Sequence, residues 1–531
     1  MKKHQICATV CFVMTGFTVI LYLHLNWNTS RLSQFLFYPF PARGMTYLTE
    51  EAMRYGTVLE PSLCAVANES RVYLNHVQKV YNLGEDIQVE IDLYDLNGNR
   101  QLTGGDFLRV WMESPEAAAS VSGQVKDFNN GRYTALLRAA WSGGATIKAF
   151  IATRKEEVVL NYMIYQQHGS LWTALAEFRA NNLTDATACS VRQEDSFKAN
   201  EWCNFTKENN GYSWYCKKSK INQLTCDTWS HSFSANGIGF PLNNTERSII
   251  GLSVTDSKQD ILQSSVKVSV RGGSNDVKLS APSTSCNTLP AEMTWQRKSP
   301  NGFFHRNKWH SLLCNDTLPR TIDAYRQCLK GRTLWLHGDS TSNQFKGALH
   351  SFLRFPSHTH LHVPVTDTDL IHNFSISWYA HELPFYHGAI HYNRSTNQAQ
   401  HIMMDRLPNT TKDIVVLYLY VHFTLVHPDV FRRHVRRLVP SAKNLLARAP
   451  NVTIAVRGPH AFFRAMHGLL SYWGLLYTDI WHQEFASLQD KIVYLDFWDL
   501  TMAKPSQDFH PQTDTVDGMI HNMMSLLCFR K

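Results

Sequence analysis

The sequence predicts a multidomain chain in which an all-β N-terminal half precedes a C-terminal α/β domain. Three observations carry that expectation. Between residues 70 and 155, short runs of alternating polar and apolar residues recur between turn signals, as half-buried strands do. From about 160 to 290, cysteines and aromatic residues cluster. Beyond 330, apolar strand-like runs alternate with helix-length stretches, which implies a parallel sheet covered on both faces. A chain of 531 residues has room for several such units, and 44% hydrophobic residues can fill their cores. The net charge of +8 is modest and spread out. It argues against a nucleic-acid binder and is compatible with an acidic partner such as an anionic glycan.

Lys2, Lys3 and His4 precede Ile6–Leu23, an uncharged and mostly apolar stretch long enough to span a bilayer. The positive flank predicts a cytoplasmic N-terminus. No small-x-small cleavage site follows. Residues 6–25 are therefore expected to be an uncleaved transmembrane signal anchor behind a cytoplasmic tail of residues 1–5, with residues 26–60 as a stem carrying Pro39 and Pro41. This topology places the remainder in the secretory lumen, as a type II Golgi membrane protein or, with cleavage, a secreted one. Asn-x-Ser/Thr acceptors at Asn28, Asn68, Asn182, Asn204, Asn243, Asn315, Asn373, Asn393, Asn409 and Asn451 agree with that compartment. So do nine cysteines beyond the anchor: Cys64, Cys189, Cys203, Cys216, Cys226, Cys286, Cys314, Cys328 and Cys528. Most should be paired in an oxidising lumen, and the odd number leaves one free or joined to another chain.

Strands are expected at Val72–Leu74, Ile87–Leu93, Phe107–Met112, Arg132–Leu137 and Thr146–Ala152, with turns at Asn97-Gly98 and Asn130-Gly131. They make a β-sandwich over 61–165. In the following 166–290, Trp202-Cys203, Trp214-Tyr215-Cys216 and Cys226 are spaced too widely for a CxxC metal site, so disulfides are expected in place of zinc.

The chain's chemistry is expected at Thr333–Phe345. A short apolar strand turns on Gly338 and runs into a helical pattern with Phe345, Leu349 and Phe352. Ser340 then stands at a helix N-terminus, where unpaired N–H groups and the dipole favour developing negative charge. A serine nucleophile and its oxyanion need such a setting. Gly338 admits close backbone approach, and Asp339 is placed to cap the turn. Later strands are expected at Asp413–Tyr420, Val452–Arg457 and Lys491–Asp496, with helices at about 428–448 and 461–489.

Several of these motifs resemble a known family. Val125–Thr134 is similar to the turn of filamin-type immunoglobulin repeats, and the Trp-Cys, Trp-Tyr-Cys pattern looks like neurexophilin. Asn301-Gly302-Phe303-Phe304, Trp309 and Cys314 lead into the Gly-Asp-Ser turn. Together they resemble the neurexophilin and PC-esterase domain family, over nearly the whole lumenal chain. The resemblance implies an immunoglobulin/filamin-like sandwich at 61–165, a neurexophilin-like cysteine-rich β region at 166–290, and a PC-esterase domain of SGNH-hydrolase-like α/β architecture at 291–531. It also implies a base, and Gln507-Asp508-Phe509-His510-Pro511 supplies one: His510 would take the Ser340 proton and Asp508 would orient the imidazole. The departure is that Asp508 lies two residues before His510, where the related pattern has three. Asp499 or a backbone carbonyl is the alternative orienting group, and His521 with Asp517 a weaker alternative pair. Where relatives read Gly-x-His-Phe, this chain reads Tyr420-Val421-His422-Phe423. Tyr420 is thereby expected to reshape or block the acyl site, while His422 still reaches it.

Gly338, Asp339, His422 and Arg457 are the expected oxyanion and substrate-binding residues, Arg457 by pairing with a substrate carboxylate. His358, His360 and His362 would share one face of a strand, but no acidic or cysteine partner is near, so no metal is expected. Arg432, Arg433, Arg436 and Arg437 read as a solvated helix face. The resemblance implies a serine-dependent glycan O-acetyltransferase or esterase acting on a sialic acid-type acceptor, with no bound cofactor and acetyl-CoA as the expected donor. The alternative is a catalytically inactive, neurexophilin-like binding protein with a neurexin-like protein partner.

Overall fold

The computed structural model describes residues 60–530 apart from 77–78, 192–199, 239–241, 253–260, 273–276, 356–363, 382–397, 464–468, 505 and 507. The expected anchor and stem lie outside the described residues, as do His358, His360 and His362. Among the described residues no helix is long and apolar enough to cross a membrane, and no group of three His, Cys, Asp or Glu side chains is arranged to hold a metal.

The N-terminal half is β-rich. A four-stranded sheet orders Arg71–Tyr73, Asp86–Asp92, Arg132–Arg138 and Gln124–Asp127. Alternation along Asp86–Asp92 and Arg132–Arg138 sends Ile87, Val89, Ile91, Tyr133, Ala135 and Leu137 into a core shared with Val110, Met112, Val121, Ile147 and Ala149 of a second sheet. That second sheet has seven strands, in the order Lys308–Ser311, Gly302–His305, Ala119–Ser122, Phe107–Ser114, Gly143–Thr153, Val266–Arg271 and Val80–Asn82. A third, five-stranded sheet joins Trp202–Asn204, Tyr215–Lys217, Leu183–Ser190, Trp172–Ala180 and Trp229–Ile238.

Neither expected internal boundary coincides with a break in the structure. The helix Lys155–His168 runs through residue 165. It opens where the Arg154 N–H donates to Glu157 (3.0 Å) and closes on the left-handed Gly169. Most of its surface is buried, so it has no polar stripe to betray it. Gly302–His305 and Lys308–Ser311 pair with Ala119–Ser122 across residue 290, Phe304 opposite Ser120. The sandwich and the C-terminal region therefore share a sheet. Arg109 adds a second tie: its guanidinium lies 3.6 Å from the Trp111 ring centre and donates to the Met502 (2.6 Å) and Ala503 (3.3 Å) carbonyls.

The C-terminal region holds a six-stranded sheet built from β1 (Thr333–Leu336), β2 (Val365–Asp369), β3 (Phe374–Trp378), β4 (Ile414–Leu417), β5 (Thr453–Arg457) and β6 (Val493–Leu495). The order is β2-β3-β1-β4-β5-β6. All neighbours are parallel except β2, which runs antiparallel to β3 at the edge. Five helices frame the site: α1 (Ser340–Phe352), α2 (Pro428–Arg448), α3 (Tyr472–Glu484), α4 (Trp498–Ala503) and α5 (Thr513–Leu527). Among the parallel strands the first lies between the second and third. Connections leave β1 and β4 in opposite directions there, which makes their carboxyl ends the switch point of the sheet, the crevice at which folds of this kind bind ligands.

Among the described residues four disulfides are present: Cys189–Cys216, Cys203–Cys226, Cys286–Cys314 and Cys328–Cys528. Cys203, Cys216 and Cys226 are thus all paired, as expected, and Cys64 is the free one among the described residues. Burial pushes the Cys64 thiol up, and nearby Glu156 adds to this. We expect Cys64 to resist alkylation in the native protein and to react in denaturant without reductant. Modification of native Cys64 at the rate of an exposed thiol, read by peptide mapping, would contradict this burial.

Candidate active site

The turn after β1 is built around two residues. Gly338 has φ +154°, and a Cβ there would lie 2.5 Å from Ser342 Oγ and 2.8 Å from the Tyr418 ring, so only glycine fits. Its N–H donates to the Tyr379 carbonyl (3.1 Å) and its own carbonyl accepts from His381 (2.8 Å). Asp339 caps α1. One carboxylate oxygen accepts from the Thr341 amide (2.9 Å) and hydroxyl (2.7 Å), and the other accepts from the Val421 amide (2.9 Å). Burial pushes the Asp339 carboxyl up. The neighbouring His422 charge, the Thr341 bonds and Arg457 outweigh this and hold it below its usual value. Asp339 thereby ties the loop after β1 to the loop after β4 as an ionised cap.

Ser340 is the first residue of α1, partly exposed, at the positive end of the helix dipole. Its Oγ lies 2.8 Å from His510 Nε2. The two residues are 170 positions apart in sequence, and the fold brings them to one end of the sheet.

His510 sits on the loop between α4 and α5, and that loop is tethered from several sides. Gln344 Nε2 on α1 donates to the Pro511 carbonyl (2.6 Å), His460 Nε2 to the Phe509 carbonyl (2.7 Å), and Ser506 Oγ to the Asp508 carbonyl (2.7 Å). Asp508 is half exposed. Its carboxylate accepts from the His510 backbone N–H (3.1 Å) and lies 3.7 Å from Nδ1, beyond hydrogen-bond length. Asp508 therefore shapes the loop more than it grips the imidazole.

The other expected residues have different partners. Asp499 accepts from Ser299 Oγ (3.0 Å) and the Asn301 amide (2.8 Å), so both oxygens hold the 299–301 segment. Burial, aided by Asp496, raises its carboxyl to about 7. His521 bonds Asp316 (2.6 Å) and the Tyr325 hydroxyl (2.7 Å), not Asp517. Arg457 is 1% exposed beneath the turn, its guanidinium 3.8 Å from the Phe345 ring centre and 4.1 Å from that of Tyr418, with NH1 3.4 Å from Ser342 Oγ. It faces the protein interior, not a ligand carboxylate. His422 is half-buried and donates through Nδ1 to the His381 carbonyl (2.9 Å).

Tyr420 does not occupy the crevice as its bulk suggested. It is 1% exposed, its ring packs edge-on against Tyr418, His460 and Tyr477, and its hydroxyl reaches the Ser471 carbonyl (3.4 Å). Gly474 makes room for it, because a Cβ there would lie 2.7 Å from the Tyr420 hydroxyl. The arginines of α2 are not a free solvated face either: Arg432 and Arg436 both bond Glu484 (2.7 and 3.0 Å), and Arg437 donates to the Gly211 carbonyl (2.8 Å).

Gln344, Tyr418 and the tethering role of His460 were not singled out by the sequence. The one available signal was position, since Arg457-Gly-Pro-His460 leaves a strand next to the crevice.

Among solved structures, the chain is similar to the crystal structure of the Lin-41 filamin domain, at 16% identity over 17% of this chain and 82% of that one. The TM-score is 0.15. The family model described as NXPE family member 4-like, C-terminal domain, matches residues 309–528, which span β1 to β6, Ser340 and His510. Over those residues the chain matches the NXPE family.

Proposed function

We propose that the C-terminal region is an SGNH-hydrolase-like acyltransferase that moves an acetyl group onto a glycan hydroxyl through an acyl-enzyme on Ser340. The observation that carries this reading is the 2.8 Å contact between Ser340 Oγ and His510 Nε2, at the carboxyl end of β1 where the sheet reverses its winding. A capping serine with only a structural part to play has no need of an imidazole held there by loop tethers.

In the first step Ser340 Oγ attacks the acetyl carbonyl carbon as its proton passes to His510 Nε2. The tetrahedral oxyanion collapses, and the leaving group departs with the proton from His510. In the second step His510 removes the proton of the acceptor hydroxyl, the new oxygen–carbonyl bond forms, and Ser340 recovers its proton. Water in place of the sugar hydroxyl would give an esterase. The α1 dipole and the Ser340 amide are suited to the oxyanion, whereas the Thr341 and Ser342 amides are bonded to Asp339. The Gly338 amide, already bonded to Tyr379, is not free for that task.

Acetyl-CoA is a fitting donor because thioester cleavage drives the first step. A sialic acid-type glycan is the proposed acceptor, in keeping with the lumenal, Golgi-anchored placement expected from the sequence and with the basic balance. The direct test is glycan O-acetylation in cells lacking the endogenous protein and expressing wild type or variants. If the protein is instead an inactive binding module, wild type will acetylate no more than an empty vector.

Asp508→Asn separates this site from one with a carboxylate-gripped imidazole. Loss of an orienting carboxylate costs about 10⁴-fold in a serine-protease triad. Here asparagine keeps the oxygen that accepts from the His510 amide, so we expect a loss of under about 10-fold. A loss of about 10³-fold or more would mean that Asp508 swings onto Nδ1 during turnover.

A further inference from the structure

The tether that His460 makes to the base loop is part of a buried polar path, and the path has a defined proton order. His460 is fully buried behind the crevice. Its Nε2 faces the Phe509 carbonyl at 2.7 Å, and its Nδ1 faces the Tyr418 hydroxyl at 3.2 Å. A carbonyl oxygen only accepts, so the ring must carry its hydrogen on Nε2. A neutral ring then accepts at Nδ1, and the Tyr418 hydroxyl is the donor. Burial pushes the imidazole down to about 3, with Arg457 acting in the same direction, so the ring is neutral at any physiological pH.

The far end of the path is equally fixed. The Tyr418 oxygen lies 3.2 Å from Thr341 Oγ1, whose hydroxyl also meets ionised Asp339 at 2.7 Å. The charge-assisted contact takes the threonine hydrogen. The groups facing His460 are Tyr418, Tyr420 and Phe462, with the charges of Arg457, Asp339 and His510 acting on it.

We propose that His460, its tautomer set by the Phe509 carbonyl and matched by the Tyr418 hydroxyl, is the positioning residue that holds His510 against Ser340. This extends the acyl-enzyme reading and rests on it. The backbone of the base is held on both sides: His460 fixes the carbonyl just before His510 and Gln344 the carbonyl just after it. Of these two hooks, the one from His460 is rigid, buried and shielded from water, where a hydrogen bond is hardest to replace. Because Nδ1 and Nε2 have fixed roles, the ring cannot turn over without breaking both bonds.

The test uses the full glycosylated chain and a probe that requires no knowledge of the substrate: the rate at which a fluorophosphonate labels Ser340. His460→Leu removes both bonds, and Tyr418→Phe removes only the hydroxyl that donates to Nδ1. His460→Gln keeps an N–H on the side of the Phe509 carbonyl. Misplacing a reacting group by about 1 Å costs roughly 10²-fold. We expect His460→Leu to label roughly 10²-fold more slowly, His460→Gln to recover most of the rate, and Tyr418→Phe to lie between. Amide hydrogen exchange should speed up over residues 508–511 in His460→Leu while the β1 and β4 amides stay protected. That pattern separates loss of position from loss of fold. Wild-type labelling rates in His460→Leu overturn the inference, as does an equal loss in His460→Gln and His460→Leu. Failure of the wild type itself to label at Ser340 removes the acyl-enzyme reading, and the inference with it.

Discussion

Substituting alanine for Ser340 is expected to lower glycan O-acetylation by at least ~10³-fold while leaving the amount of folded protein unchanged. In the proposed mechanism the Ser340 oxygen forms the bond to the acetyl carbon, and its hydroxyl lies 2.8 Å from His510 Nε2. The N-cap is Asp339, not Ser340, so α1 keeps its capping bonds to Thr341 when the serine is lost. Alanine at the first helical position is also well tolerated. His510→Ala should fall to a similar floor, and the double variant should be no worse than either single one, because the two groups act as one unit. Cells expressing equal amounts of wild type and Ser340→Ala should differ in acetylated glycan by this factor over a clean background. Identical acetylation would end the enzymatic reading and leave a binding protein whose crevice does no chemistry.

What the sequence disclosed about this site was whatever local chemistry encodes. A strand, a glycine that no Cβ can replace, a capping aspartate and a serine stand within eight residues, so the turn is legible from neighbours alone. His510 was legible only by family resemblance, since nothing local binds it to a serine 170 residues away. The direction in which Tyr420 and Arg457 point was not legible. Each stands at or just past the carboxyl end of a parallel strand and was expected at the crevice, yet Tyr420 packs under α3 and Arg457 under α1. Side-chain direction there depends on the space left by Gly474 and on the Phe345 and Tyr418 rings, all distant in sequence or on other elements. The same limit hid the fold's seams. Alternation placed the strands of the sandwich, but it carries no information on partners. The pairing of Phe304 with Ser120 therefore appeared only in three dimensions. The helix Lys155–His168 was missed for a different reason: a helix buried on nearly every side has no polar face to mark its period.

The largest expected effect on stability belongs to the bridge between Cys328 and Cys528. It closes a loop of 200 residues and pins the end of α5 to the end of the helix Ile322–Leu329. In the chain-entropy account a loop of that length is worth about 5 kcal/mol through restriction of the unfolded state, less if the unfolded chain is already compact. Native contacts point the same way. The α5 side chains Val516, Met519, Ile520, Met523 and Met524 lie in the core that also contains Leu334 and Leu336 of β1, and the bridge holds that face in place. A double Cys328→Ser, Cys528→Ser variant avoids a stray thiol, and we expect it to melt about 10 °C lower than wild type. Cys64→Ser, at a buried thiol that closes no loop, should cost far less, about 1–2 kcal/mol. The bridge also bears on the site, because α5 begins three residues after His510. Loosening its far end should slow fluorophosphonate labelling of Ser340 at temperatures well below the melt. Equal melting temperatures for the double variant and wild type, in protein whose other three disulfides are intact, would mean that packing alone secures the C-terminal helix.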